Sequence, residues 1–254
     1  MNIAFISAVL PVLLLLFFIY RKDRLNPEPL GKLILTFFVG CLSVIPAGLL
    51  ESLLMPLAPS AEAMPVMNGV FDGYLVAGVS EELCKLLLLL WVIWRSPHFD
   101  EYFDGIVYAA FLSLGFACVE NIGYVMSGED VMTTALMRGL LAVPAHFLFA
   151  VTMGYYVSLA KFDPTGRRGH LWKAFLYPML LHGTYDALLM VSSNLRGSES
   201  LLATGITVVL FVVFVVFDVK MWRWGLKRIK RLQERTGEQD YDRMRPFDGF
   251  TWNV

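Results

Sequence analysis

The stretch at residues 79–94 reads VSEELCKLLLLLWVIW, with two adjacent glutamates and a lysine ahead of an otherwise apolar run. An α-helix needs about 20 largely apolar residues to cross a bilayer core, and residues 71–94 have that length. Each charge at a helix centre costs about 2.5–3.5 kcal/mol on insertion scales, so three cost about 7–10, while Leu86 to Ile93 return only about 3–5. The balance is unfavourable for a lone helix. Glu81, Glu82 and Lys85 must therefore pair inside a bundle, take up a proton, or face water.

The rest of the chain supplies that bundle. Of 254 residues, 57% are hydrophobic and 17% charged, with a mean hydropathy of +0.60. Soluble domains are roughly 45–50% apolar. The excess gathers at residues 3–20, 32–55, 71–94, 104–127, 132–160, 172–192 and 201–220. The reading is an all-α, polytopic membrane helix bundle of about seven transmembrane helices. The connections are rich in Pro, Gly, Asn and charge, and none is long enough for a second domain. The first span lacks a basic leader and a small-residue cleavage site, so it reads as a retained helix. Three cysteines without metal-ligand spacing exclude a disulfide framework. A net charge of −1 gives no reason to expect a nucleic-acid partner.

Lysines and arginines alternate between loops. Arg21, Lys22, Arg24 and Lys32 follow the first span, Arg95 the third, Lys161, Arg167, Arg168 and Lys173 the fifth, and Lys220 to Arg231 the seventh; the opposite loops hold only Arg196. The positive-inside rule then puts the N-terminus outside and the C-terminus in the cytoplasm. Residues 1–220 read as the membrane domain. Residues 221–254 read as a basic segment along the cytoplasmic lipid surface, with a poorly structured tail from residue 236.

Other spans carry further polar groups. At about 100° per residue, Lys85 falls between Glu81 and Glu82 in angle, one turn on, and can pair with either. The two carboxylates diverge, so one can face a cavity while the other is tied to Lys85 or a neighbouring helix. FACVENIGYV carries Glu120 and Asn121, PAHFLFAVTMGYY carries His146 just after Pro144, and LYPMLLHGTYDALL carries His182 and Asp186. Pro144 predicts a kink. His182 and Asp186 are four apart, so the carboxylate can receive a ring N–H and fix the imidazole tautomer. Counting at about 1.5 Å per residue puts Glu82, His146 and His182 in one slab, with Glu120 nearer the outer leaflet.

A single membrane histidine is more often a helix–helix hydrogen-bonding residue. Acids and imidazoles on four spans suit water activation instead: a buried carboxylate takes a proton from water attacking a carbonyl, and histidines hold the water or the oxyanion. No HExxH or GxSG motif is present, and Tyr185–Asp186 has no GxGD partner. Cys84 as nucleophile is disfavoured because a buried membrane thiol is usually inert. The alternative is a proton- or cation-coupled transporter using the same carboxylates and histidines, although no inverted repeat is visible. A catalytically silent scaffold is the third reading.

In order along the chain, DRLNPEP, EELCK, FACVEN, HFLFAVTMGYY and HGTYD resemble the motif set of the PrsW family of intramembrane proteases, within the superfamily of CAAX-type proteases and bacteriocin-processing enzymes. The resemblance spans roughly residues 20–190. It implies an endopeptidase of the bacterial cytoplasmic membrane acting on single-span, anti-sigma-factor-like substrates. It also implies roles for Glu81, Glu82, Glu120, His146 and His182. Glu81 would be the general base with Glu82 second, the histidines would position water or the oxyanion, and Asp186 would orient His182. Lys85 and Asn121 would support them. CAAX-type relatives carry His at the position of Glu120 and often Asn at that of Asp186. The resemblance leaves two catalytic types open: glutamic with no cofactor, or zinc held by His146, His182 and Glu81 or Glu120.

Overall fold

Inside a bilayer, long apolar runs satisfy their backbone groups within one segment only as helices. Helices are the only regular structure among the described residues of the computed structural model, which are 2–23, 26–128, 130–196 and 200–244. The elements are α1 (Asn2–Lys22), α2 (Leu30–Leu54), α3 (Pro65–Phe71), α4 (Ser80–Ile93), α5 (Asp104–Ser127), α6 (Val131–Met137), α7 (Val143–Phe162), α8 (Arg167–Leu195) and α9 (Leu201–Met244). Among the described residues, five stretches are long and apolar enough to cross a membrane: Ala4–Lys22, Leu30–Leu57, Asp104–Ser127, Val131–Phe162 and Leu201–Tyr241. The helical unit from α3 to α4, and α8, carry the mid-helix charges and imidazoles and lie among them.

The centre is α5 against α7. Over its apolar window α5 is 78% buried, whereas α1 is 17% and α9 11% buried, so the latter two form the rim. Gly105 and Gly154 make the central crossing possible: a Cβ on Gly154 would lie 2.2 Å from the Gly105 carbonyl oxygen and 2.6 Å from Ile106 Cα. Small residues let helix backbones approach this closely in membranes.

Two wide turns shape the bundle. Residues 72–79 and 138–142 are π-helical, the first running into α4 and the second into α7. The irregularity near Pro144 thus falls ahead of the proline. Pro144 has no N–H to donate back along the helix, and the wide turn absorbs the break while α6 and α7 stay continuous. π-Helical turns inside α-helices are frequent at functional sites.

One end of the bundle collects the connections. Asn26 Nδ2 donates to Glu101 Oε1 at 2.8 Å, and Tyr108 donates to Glu28. Lys32 Nζ donates to the Val92 carbonyl at 3.0 Å and Lys161 Nζ to that of Trp94 at 2.8 Å, placing cations at the negative end of α4. Burial raises Glu28 from its ordinary 4.5 to about 7, outweighing the Tyr108 donor, and raises Asp23 from 3.8 to about 6.

Helix α9 continues through residue 220 without a break. Arg228 donates to Thr152 and Arg231 to Tyr155, both at 3.2 Å. Residues 236–244 are not an unstructured tail but the last turns of this helix. Thr236 accepts from the Phe103 amide at 3.0 Å, and Gln239 donates to the Asp100 carbonyl at 2.9 Å. Residues 245–254, the remainder of the expected tail, lie outside the described residues.

Candidate active site

Helix α4 begins as the wide turn ends, and its first turns carry Glu81, Glu82 and Lys85, all buried. Lys85 Nζ lies 2.8 Å from Glu81 Oε2, 2.9 Å from Glu82 Oε1 and 3.2 Å from His146 Nδ1, and it sits 4.0 Å from the centre of the Phe116 ring. An ammonium has three protons and no acceptor. All three are committed, so Lys85 serves as a counter-ion and not as a base.

The same contact fixes a tautomer. Because Lys85 can only donate, His146 Nδ1 accepts and Nε2 carries the ring proton. Nε2 lies 2.8 Å from Glu120 Oε2, its acceptor. Counting along the chain sets Glu120 apart, yet here it touches His146. His182 has carboxylate oxygens at both nitrogens: Glu82 Oε1 at 2.9 Å from Nδ1 and Asp186 Oδ2 at 3.1 Å from Nε2. The two imidazoles meet edge to face at 5.2 Å, and His182 stacks on Phe149 at 4.7 Å. Buried charges persist only when paired and hydrogen-bonded, and this network meets that condition for nearly every atom; Glu82 Oε2 is left without a partner.

A cavity of about 590 Å³ opens onto this cluster. Glu81, Glu120, His146, His182 and Asp186 line it, with Glu51 of α2, Tyr185 of α8 and Phe214 of α9. Glu82 does not; it stands behind Glu81, bridging Lys85 and His182. The two glutamates thus separate by role, one exposed to the cavity and one holding the scaffold. Asn121 does not reach the cavity either. It donates to the Ala8 carbonyl at 2.6 Å and accepts from Arg138 Nε at 3.0 Å, tying α1 to the wide turn before α7.

Arg138 was not among the residues the sequence pointed to. Its Nη2 lies 2.9 Å from Glu120 Oε2, and its guanidinium covers the Tyr124 ring at 4.0 Å. The signal was there, since a cation inside the 132–160 run raises the same objection as Glu81 and Glu82 do in theirs.

Glu81, Glu82, His146 and His182 each offer one ligand atom, all within 4.8 Å of one another. In kind and number these donors suit zinc. The fully buried Lys85 ammonium is in contact with three of the four. As folded, the set holds an organic cation.

A family model described as "PrsW family intramembrane metalloprotease" matches residues 28–217. The chain is 33% identical to the protease PrsW of Clostridioides difficile (strain 630) over 253 residues, 95% of this chain and 96% of the relative. It is 40% identical to that of Geobacillus kaustophilus (strain HTA426) over 188 residues, 74% and 80% of the two chains. With that of Bacillus subtilis (strain 168) the figures are 35% over 231 residues, 90% and 95%. No solved structure matches the chain.

Proposed function

Because this chain belongs to the PrsW family of intramembrane proteases, we propose that it cuts single-span, anti-sigma-factor-like proteins with a water activated by Glu81, and without a metal. It is a multi-pass membrane peptidase; the substrate class, the catalytic type and the roles below are the proposal. The observation that carries it is the position of Glu81: of the adjacent pair Glu81 and Glu82 it is the one that lines the cavity, 2.8 Å from the Lys85 ammonium and 3.9 Å from His182 Nδ1.

A scissile carbonyl in the cavity meets water beside Glu81. As the water oxygen bonds to the carbonyl carbon, Glu81 takes its proton, and it hands that proton to the amine as the C–N bond breaks. The negative charge growing on the carbonyl oxygen is stabilised by the cationic surroundings of Glu81, Lys85 and His182, fixed before the reaction in a site of low dielectric. Glu82 and Asp186 hold His182 from its two sides, and Lys85 and Glu120 hold His146. Every side chain that orients the base is itself held by another.

The test uses purified protein in liposomes with single-span peptides, measuring cleavage and proton flux together. The expected result is cleavage by wild type, loss in His182→Ala, and no substrate-driven flux. Flux without cleavage would replace this reading with the transporter. The reading places the protein in the bacterial cytoplasmic membrane, N-terminus outside, with the connections gathered at one end facing the cytoplasm.

A further inference from the structure

Arg138 lines the cavity from the wide turn that leads into α7. Its guanidinium is held on three sides, by Asn121 through Nε at 3.0 Å, by Glu120 beside Nη2 at 2.9 Å, and by the Tyr124 ring at 4.0 Å. Nη2 is buried and has no partner at hydrogen-bonding angles, so its hold on Glu120 is one of charge.

That hold reaches His146. The Glu120 oxygen facing Arg138 is the same Oε2 that faces His146 Nε2 at 2.8 Å. His146 Nδ1 is committed to accepting from Lys85, so the ring keeps its geometry only while Glu120 stays in place as an acceptor for Nε2–H. Among the described contacts, Arg138 is the cation that touches Glu120. Without it the carboxylate would turn away, Nε2–H would lose its acceptor, and the ring could rotate out of its contact with Lys85, which frees its proton to move to Nδ1. The hydrogen bond at one ring nitrogen decides what the other carries.

We infer that Arg138 is a positioning residue: through Glu120 it locks the His146 ring and its Nε2 proton at the edge of the cavity. The kinetic side of this inference rests on the peptidase reading; the structural side does not.

The experiment is nitrogen-15 NMR of histidine-labelled protein in detergent micelles, with His146 assigned from H146Q, for wild type, R138Q, R138K and N121L. Wild type should show His146 with a bare Nδ1 and a protonated Nε2. R138Q should mix the two tautomers, R138K should restore the single one, and N121L, which breaks the Nε and Ala8 ties but leaves Arg138 Nη2 facing Glu120, should leave it unchanged. In the cleavage assay R138Q should lose about 10–100-fold in kcat, the usual scale for a partner that orients a histidine, with KM moving less than about threefold, the pattern of an interaction made only in the transition state. R138K should recover most of that loss.

An unchanged His146 spectrum in R138Q overturns the inference. So does an N121L spectrum that copies R138Q, because Arg138 would then act by packing alone. If the spectra behave as expected while wild type cuts no peptide, the positioning role stands and the peptidase reading fails.

Discussion

Replacing Lys85 by methionine removes the cation from the centre of the cluster while nearly preserving the shape of its stem. Two carboxylates, one fully buried and the other 5% exposed, lose a partner at 2.9 and 2.8 Å, and Phe116 loses a cation 4.0 Å from its ring centre. Removing one partner of a buried ion pair typically costs about 3–5 kcal/mol, because the other charge is stranded. A desolvated cation–π contact adds about 2 kcal/mol. Uptake of a proton by one carboxylate limits the total, so about 3–5 kcal/mol is the expected loss, a large share of the roughly 5–15 kcal/mol that a folded protein has. For a chain of this size that lowers the melting temperature by about 6–20 °C. Thermal unfolding in detergent at neutral pH measures it. The triple variant E81Q/E82Q/K85M should recover at least half of the loss, because neutral groups replacing a whole ion cluster are often tolerated. A K85M protein melting within about 2 °C of wild type, or a triple variant no better than the single, would refute this account of how the charges are accommodated.

Gly154→Ala should drive α5 and α7 apart, since its Cβ would meet the Gly105 carbonyl oxygen at 2.2 Å; overpacking of this kind costs about 1–3 kcal/mol, readable as a lower melting temperature. Glu28, raised from 4.5 to about 7, binds its proton more tightly in the folded state, so its contribution is complete below about pH 4.5 and is lost as the pH rises through about 7. The fold should be more stable at pH 5.5 than at pH 8 by about 2 kcal/mol, read as a higher melting temperature, and Glu28→Gln should flatten that slope; an unchanged slope would assign the effect elsewhere. Because Lys85 engages three residues of the four-donor cluster, cleavage should survive prolonged dialysis against chelators. One equivalent of zinc whose removal abolishes activity would show that Lys85 can leave.

Local spacing carried much of the site. The three- and four-residue separations of Lys85 from Glu82 and Glu81, and of Asp186 from His182, put these groups one helical turn apart, so the spacing alone makes the observed contacts possible. What it could not determine depends on neighbouring helices. Whether Glu81 or Glu82 faces the cavity follows from where α8 places His182, which binds Glu82 and leaves Glu81 to line the cavity. Asn121 follows Glu120 in the chain, yet its angle points it at Ala8 and Arg138. The wide turns at 72–79 and 138–142 shift the angular register of everything beyond them, and no residue type announces them. The partners of Arg138, Glu120 and Tyr124, come from another helix, which spacing along its own run does not reveal. The last turns of α9 read as tail because they are polar; a helix can be polar where it packs by hydrogen bonds such as those of Thr236 and Gln239.

The most direct test compares E81Q and E82Q under single-turnover conditions with a single-span peptide, alongside melting and peptide binding. Glu81→Gln should bind peptide and stay folded at the assay temperature while losing cleavage by about 10³-fold, within the 10²–10⁴-fold that a general base contributes. Glu82→Gln should lower the melting temperature and retain some cleavage. An E81Q protein that still cuts within tenfold of wild type would contradict the assignment of the cavity-facing glutamate as the base.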